Sequence, residues 1–302
     1  FIAWLWSPDA LALVPQRVWN NMTQYLLAAI PLFIFMASML AKSGVIEEVF
    51  DVAYKWLGRI PGGLAVATVV ASTVLAAMVG VIGAAVVTMA LVALPSMLRR
   101  GYSPVLAVGT VMAGGTLGIL IPPSVLAIVY GLVANQSVGE LYLGSVFPGL
   151  VLSGLYILFS VGYALLNPKA APRLSPEETP TWSERWRALR SIWSPLVLIF
   201  LVLGTIFLGL AAPTEAAAIG AFGAMVVAAI HRRLSWTILR LALEQTAKAT
   251  AMVMWIVFGA NAFVGFYIAQ GGDRYVSELL LGTGLSPWGI LLLMQGILIV
   301  LG

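Results

Sequence analysis

The sequence predicts an all-α integral membrane protein, and three observations carry that reading. Hydrophobic residues make up 61% of the 302 and charged residues only 9%, where a soluble domain has roughly 45–50% apolar residues and about 25% charge. A globular core of this length cannot hide so much apolar surface, so lipid must cover the remainder. Several apolar runs also reach the roughly 17–25 residues that cross a bilayer as one helix. Finally, the net charge of +4 sits in short segments between those runs, which suits the positive-inside pattern and not nucleic-acid binding. The chain has no cysteine, which removes disulfides, thiolate metal sites and cysteine nucleophiles.

The chain opens on Phe1-Ile2-Ala3-Trp4-Leu5-Trp6. This resembles the tail of a membrane helix more than a signal peptide, which opens on a charged region, so a fragment is expected. Spans are placed at 22–41, within 141–166, and at 195–211, 215–230 and 249–268. Residues 62–98 are a long apolar run broken at its middle by Gly80-Val81-Ile82-Gly83-Ala84. Residues 104–133 are broken by Gly114-Gly115-Thr116-Leu117-Gly118 and then by Ile121-Pro122-Pro123-Ser124. Proline lacks the N–H and glycine costs backbone entropy, so residues this dense stop a helix. Irregular backbone survives in a membrane only where protein or a polar cavity satisfies it.

Basic residues fix the sides. The one long polar stretch, 167–194, holds Lys169, Arg173, Arg185, Arg187 and Arg190; Lys55/Arg59, Arg99-Arg100 and His231-Arg232-Arg233 form three further clusters. An arginine at a helix centre costs about 2.5–3.5 kcal/mol on insertion scales, so all of them mark aqueous ends. If 62–98 leaves and returns to one side, 104–133 crosses and 141–166 returns, every cluster falls on one face, read as cytoplasmic.

Two stretches share an order of features. The first has an amphipathic segment (11–21), a span, Ala41-Lys42-Ser43-Gly44, an amphipathic arm (45–57), then Pro61-Gly62-Gly63 and an apolar rise to Gly80. The second has 234–248, a span to Ile268, Ala269-Gln270-Gly271-Gly272, an arm (273–281), then Pro287-Trp288-Gly289 and an apolar rise to Gly302. Span parity puts the two arms on opposite sides, which makes an inverted-topology repeat. The second copy stops near the point where the first hairpin turns. About a hundred further residues after Gly302 and a span before Phe1 are therefore expected, by the length of the first repeat.

The strongest local signal is the run from Gly114 to Ser124. An unwound break there exposes carbonyls, the oxygen ligands that sodium prefers, and frees a half-helix N-terminus that favours an anion. Thr214-Glu215 supports two readings. A carboxylate at the start of an apolar run is a functional candidate, and a threonine N-cap with an acidic first turn is a helix start. Asn261 reads as a packing hydrogen bond within a span. Most tryptophans flank apolar runs as interfacial anchors; only Trp255 falls inside one.

The broken segment, followed by Tyr130-Gly131, resembles the signature of the large membrane subunit of the tripartite ATP-independent periplasmic (TRAP) transporters. So do Pro31-Leu32-Phe33-Ile34-Phe35-Met36, Gly58-Arg59-Ile60-Pro61-Gly62-Gly63, Leu94-Pro95-Ser96-Met97-Leu98 with Gly101-Tyr102, and Ala212-Pro213-Thr214-Glu215-Ala216. The resemblance covers nearly the whole chain in the right order. It implies an elevator-type secondary transporter of the bacterial inner membrane, driven by sodium, with no other cofactor. A periplasmic substrate-binding protein would deliver an organic acid, and a small membrane subunit would brace the scaffold. Residues 1–59 and 195–284 would be scaffold and arms, 60–166 the first half of the transport domain, 167–194 a cytoplasmic basic loop, and 285–302 the start of a second hairpin. The hairpin tip (Gly80, Gly83) and the break (Gly114, Gly115, Thr116, Gly118, Pro122, Pro123, Ser124) would form a sodium and substrate site, with Thr214 and Glu215 possible contributors from the second half. Many members carry hydroxyl residues at the tip; this tip has none, so only its carbonyls can serve.

Two other classes are weaker. Glu215-Ala216-Ala217 is similar to the coupling loop of ATP-driven permeases, but that loop faces the cytoplasm and this one is placed outside. A membrane enzyme finds no support in the single histidine, His231, which sits in a basic segment with no HExxH around it.

Overall fold

The computed structural model describes residues 13–80, 82–173 and 180–301, and among them every regular element is helical. The chain forms two compact units, Gln24–Met252 and a second made of Phe1–Thr23 with Val253–Gly302. The opening Phe1-Ile2-Ala3-Trp4-Leu5-Trp6 segment lies outside the described residues.

The first unit begins with a 3₁₀ turn, Tyr25–Ala28, that runs into α2, Ala29–Lys42; α1, Leu13–Met22, precedes it in the other unit. Next come the amphipathic α3, Val45–Leu57, and the hairpin pair α4, Gly63–Val79, and α5, Ile82–Arg99. The bent pair α6, Pro104–Leu120, and α7, Val125–Ala134, is followed by the long α8, Val138–Leu166. Then come α9, Trp182–Ser191, α10, Trp193–Phe207, and α11, Pro213–Ile230. The 34-residue α12, Trp236–Ala269, holds the boundary between units; α13, Gly272–Gly282, and α14, Pro287–Leu301, complete the second.

Four helical stretches are long and apolar enough to cross a bilayer, Tyr25–Lys42, Val138–Leu166, Pro213–Ile230 and Trp236–Ala269, and two bent pairs raise the number to six. These are the expected spans, with three differences, one of them the merging of 234–248 with the span 249–268 in α12. The run 195–211 stops being helical at Phe207, where Gly209 takes a positive φ of 68° and reverses the chain. The polar stretch 167–194, expected as a loop, carries α9. Its N-cap Thr181 and Glu184 form a reciprocal capping box, which supplies partners for two otherwise orphaned amides.

Helix α4 is apolar on every side and buried almost throughout, as a helix without a polar face must be. It is the core of the first unit, packed by α3, α5, α6 and α8. Glycines allow the close approaches. A side chain at Gly62 would collide with Ala164 Cβ and the Ser160 carbonyl, both at 2.9 Å. Elsewhere α11, rich in alanine, lies on α2, where Gly220 leaves room for Met36.

The outer ends of the hairpin meet the same neighbours. Leu64 N–H donates to Tyr102 Oη at 3.2 Å, and Ser103 N–H to the Ala170 carbonyl at 2.8 Å. The start of α4, the end of α5, the start of α6 and the end of α8 therefore lie together. Arg100 and the tryptophan-rich side of α9 lie near this end too. The Arg100 guanidinium sits 4.7 Å from the Tyr54 ring centroid, and Trp56 packs edge-on against Trp182 and Trp186 of α9.

The order of helices in 13–79 resembles that in 236–301. Gly44 (φ 74°) caps α3 and Gly271 (φ 75°) caps α13; Gly62 (φ 66°) precedes α4 and Gly284 (φ 65°) precedes α14. A left-handed residue at each corresponding corner is what only glycine supplies cheaply. The copies differ at one joint. In the first, Thr23 Oγ1 bonds back to the carbonyls of Trp19 and Asn20 and the chain turns. In the second, the alanine-rich 247–251 continues the helix, so the amphipathic segment and the span are one.

His231 pins three helices. Its Nδ1 lies 2.8 Å from the Val227 carbonyl, and Nε2 lies 3.0 Å from the Ser191 carbonyl and 3.3 Å from a Glu48 carboxylate oxygen. Both nitrogens face acceptors, which suits the doubly protonated ring. Burial opposes the charge, but the two carbonyls and Glu48 outweigh it and hold the pKa above the ordinary histidine value. The contact then stabilises the fold fully below the unfolded pKa of about 6.5 and is lost as pH rises through the raised folded value. Thermal unfolding of wild type and His231→Gln across pH should show the wild-type advantage largest on the acid side of neutrality and vanishing in alkali. An advantage that grows with pH would contradict the assignment.

Candidate functional site

Two interruptions of helix meet in the first unit. Helix α4 ends because Gly80 takes a left-handed φ of 57°, which an L side chain adopts at a cost of about 1–2 kcal/mol. Helix α6 ends at Leu120, and the chain runs extended through Ile121 (ψ 122°) and Ser124 (ψ 126°). Pro122 and Pro123, joined by a cis peptide, have no N–H to continue a ladder. Helix α7 restarts with Ser124 as its N-cap, the Oγ accepting from Ala127 N–H at 3.4 Å, and its axis is bent 40° from that of α6.

The hairpin turn is seated on this break. Val125 N–H donates to the Gly80 carbonyl at 3.4 Å, so the carbonyl end of α4 meets the amide end of α7 and their dipoles are complementary. A Cβ at Gly80 would stand 2.5 Å from the Pro123 carbonyl oxygen. The stretch 121–125 is buried throughout. Tyr142 of α8, fully buried, donates its hydroxyl to the Ser124 carbonyl at 3.2 Å. Among the described residues no hydrogen bond ends on the carbonyls of Pro122 or Pro123.

The oxygens offered here are neutral: the carbonyls of Gly80, Pro122 and Pro123 and the Ser124 hydroxyl. Such hard, uncharged oxygens can replace the hydration shell of an alkali cation. No group of three or more histidine, aspartate or glutamate side chains suited to a metal occurs among the described residues.

The structure brings Gly80, Pro122, Pro123 and Ser124 together and distributes the other expected residues elsewhere. Gly114, Gly115 and Gly118 are not unwound; they lie within α6. They serve packing: a Cβ at Gly114 would strike Ser72 and one at Gly115 would strike Val86, so α6 lies hard against both arms of the hairpin. The Ser72 hydroxyl, buried there, has no hydrogen-bond partner among the described residues. Thr116 is exposed and turned toward α8, its hydroxyl bonded to the Ala113 carbonyl and 3.3 Å from Tyr156 Oη. Gly83 is exposed on the other side of the tip, in the wall of a cavity of about 1010 Å³ with Lys42, Glu48 and Arg233.

Thr214 and Glu215 open α11, which packs on α2 and the 3₁₀ turn. The N-cap is Ala212, not Thr214, and Glu215 Oε2 accepts its N–H at 2.8 Å. Asn261 bonds the Val257 carbonyl within its own helix, at 3.0 Å, rather than a neighbour.

Sequence reasoning placed the span of α8 but missed its polar face. Thr73 Oγ1 lies 2.6 Å from Ser153 Oγ, so Tyr142, Ser153 and Tyr156 tie α8 to the break, to α4 and to α6. All three lie on one helical face, and a polar stripe along an apolar span was the available signal.

An all-helical chain with several bilayer-length spans, and with irregular backbone buried inside it, defines a multi-pass membrane protein. The family model of the tripartite ATP-independent periplasmic transporter, DctM component, matches residues 1–302, and the chain belongs to that family. It is 33% identical over 299 residues to the C4-dicarboxylate TRAP transporter large permease protein DctM of Pseudomonas aeruginosa, covering 99% of this chain and 69% of that protein. It is 31% identical over 267 residues to the ectoine/5-hydroxyectoine TRAP transporter large permease protein UehC of Ruegeria pomeroyi (87% and 60%). It is 29% identical over 294 residues to the isethionate TRAP transporter permease protein DctMQ of Oleidesulfovibrio alaskensis (96% and 45%).

Gly80→Ala should lower the unfolding temperature of the purified protein, because the left-handed backbone alone costs about 1–2 kcal/mol and the carbonyl of Pro123 blocks the added carbon. Gly83→Ala, where nothing stands within 4 Å, serves as the control and should change little. Equal unfolding temperatures for both variants would contradict the contact.

Proposed function

We propose that the chain is the large permease subunit of a sodium-driven importer of an organic acid anion, of the dicarboxylate, keto acid or sugar acid type. A periplasmic binding protein delivers the substrate, a small membrane subunit completes the complex, and the assembly works in the bacterial inner membrane. The observation that carries this reading is the seat of the Gly80 turn on the Pro122-Pro123-Ser124 break, where neutral oxygens and a half-helix N-terminus converge. Sodium binds the carbonyls, and its charge together with the amide end of α7 favours an anionic substrate.

Two observations support alternating access by an elevator. The hairpin ends lie with Arg100 and α9, while its turn reaches the middle of the α6–α7 pair, the geometry of a re-entrant hairpin. Hydroxyl contacts from α8 to α4, α6 and the Ser124 carbonyl hold these helices as one body. The name DctMQ on one relative, in which the matched region occupies 45% of the length, supports a small-subunit partner. Relatives named for C4-dicarboxylate, isethionate and ectoine leave the substrate to the binding protein, whose ligand affinity identifies it.

The alternative is another ion-coupled anion transporter of elevator type. The ATP-driven reading has lost its one motif, since Glu215 is occupied in capping its own helix.

Uptake by the complete complex in liposomes, with the binding protein present, should require a sodium gradient and no ATP. Pro123→Leu should abolish sodium-dependent uptake while the protein still inserts. Full uptake in choline medium would refute the coupling. Cysteines at Arg100 and Arg232 should label only from the cytoplasmic face, and one at Gly272 only from outside.

A further inference from the structure

We propose that the junction of α3 and α9 is a binding site for the headgroup of an anionic phospholipid, with Arg185 holding its phosphate. Trp56 of α3 is the centre of this junction. Its ring stands 5.7 Å from both Trp182 and Trp186 at steep angles, and its Nε1–H donates to the Arg185 carbonyl at 3.4 Å. The Arg185 guanidinium carbon lies 5.4 Å from the Trp182 ring centroid, close enough for a cation–π contact.

What the junction lacks is an acceptor. The Nε and Nη2 of Arg185 are shielded from solvent and have no hydrogen-bond partner among the described residues, and a shielded charged donor without one is costly. The carboxylates that the described residues place on these two helices are engaged or distant. Glu184 Oε2 accepts from the Thr181 N–H at 2.7 Å and its hydroxyl at 2.9 Å. Asp51 pairs with Lys55 at 2.6 Å, and Glu48 with His231 at 3.3 Å. Glu47 lies in the first turn of α3, beside Gly44 and remote from the Trp56 end. The missing partner is an anion with at least two oxygens, the shape that a guanidinium fork accepts from phosphate.

Position selects a lipid over a dissolved ion. Helix α9 runs at Ile192 into the apolar α10, so it lies at the boundary of a span. Trp182, Trp186 and Trp193 are 64%, 56% and 69% exposed, the arrangement of rings that sit at headgroup level. Arg187 and Arg190 on the same helix add the positive field that draws anionic lipid. The basic end of the protein is thereby anchored to the leaflet it faces.

The complete transporter, stripped of lipid in neutral detergent, tests this. It is titrated with phosphatidylglycerol, phosphatidylcholine or inorganic phosphate while bound lipid is counted by native mass spectrometry and unfolding temperature is followed. Wild type should prefer phosphatidylglycerol, whose phosphate charge is not offset by a headgroup cation, to phosphatidylcholine by about tenfold, within the worth of one charge-assisted contact, and gain unfolding temperature with it. Arg185→Gln should abolish the preference, and Arg187→Gln should keep it. If Arg185→Gln does not fold, Arg185→Lys, which keeps the charge but not the fork, should lose most of it. Equal binding of the two lipids by wild type, or a preference that survives in Arg185→Gln or Arg185→Lys, would overturn the proposal. So would a stabilisation that inorganic phosphate reproduces, or a preference that appears only after Glu177→Gln and Glu178→Gln.

Discussion

Gly80 meets Pro123 and Val125 through backbone atoms, and the approach leaves no room for a carbon between them. Everything around the candidate site follows from that constraint. A turn can be buried in an apolar interior only if its carbonyls and amides find partners, and here one interrupted helix supplies them to another. The carbonyl end of α4 satisfies the first amide of α7, so two helix termini that would each be costly alone become complementary. Glycine at the turn gives both the left-handed φ and the space, while the two prolines guarantee that α6 stops where the turn arrives.

The same contact explains why α4 carries no polar face. It is surrounded by the hairpin return, the broken helix and α8, so its surface is apolar and small, with glycine, alanine, serine and threonine where backbones come closest. The hydroxyls along the interface set the alignment of the helices with modest bonds, each worth about 0.6 kcal/mol on average inside a membrane. Uncharged oxygens at the centre and arginines at one end are two aspects of one electrostatic rule: charge stays where water can reach it, and dipoles work where it cannot.

The spans were legible because length and hydropathy decide them, and the break because two adjacent prolines leave no helical alternative. The glycines were not. Gly114 and Gly115 read as unwinding residues, yet they are helical and exist to admit Ser72 and Val86; a sequence does not distinguish a glycine that bends from one that is packed against. Helix α9 is hidden in the sequence although Thr181-Trp182-Ser183-Glu184 spells a capping box, because its arginines give it the composition of a polar loop. Tyr142 was invisible for a different reason. Its partner is a carbonyl exposed only by the break in another helix, a relation that exists in three dimensions and nowhere in the order of residues.

The central claim is that hairpin, broken helix and α8 form one body around the site. Because residues 1–302 hold no cysteine, Thr73→Cys with Ser153→Cys, in a transporter whose other cysteines are replaced by serine, introduces one pair of thiols at hydroxyls 2.6 Å apart. Oxidising this pair to a disulfide in the complete transporter should leave the rate of uptake unchanged, since the bond would join groups that never separate. Loss of uptake on oxidation, restored by reduction, would mean that α4 and α8 move past one another, and would contradict the account.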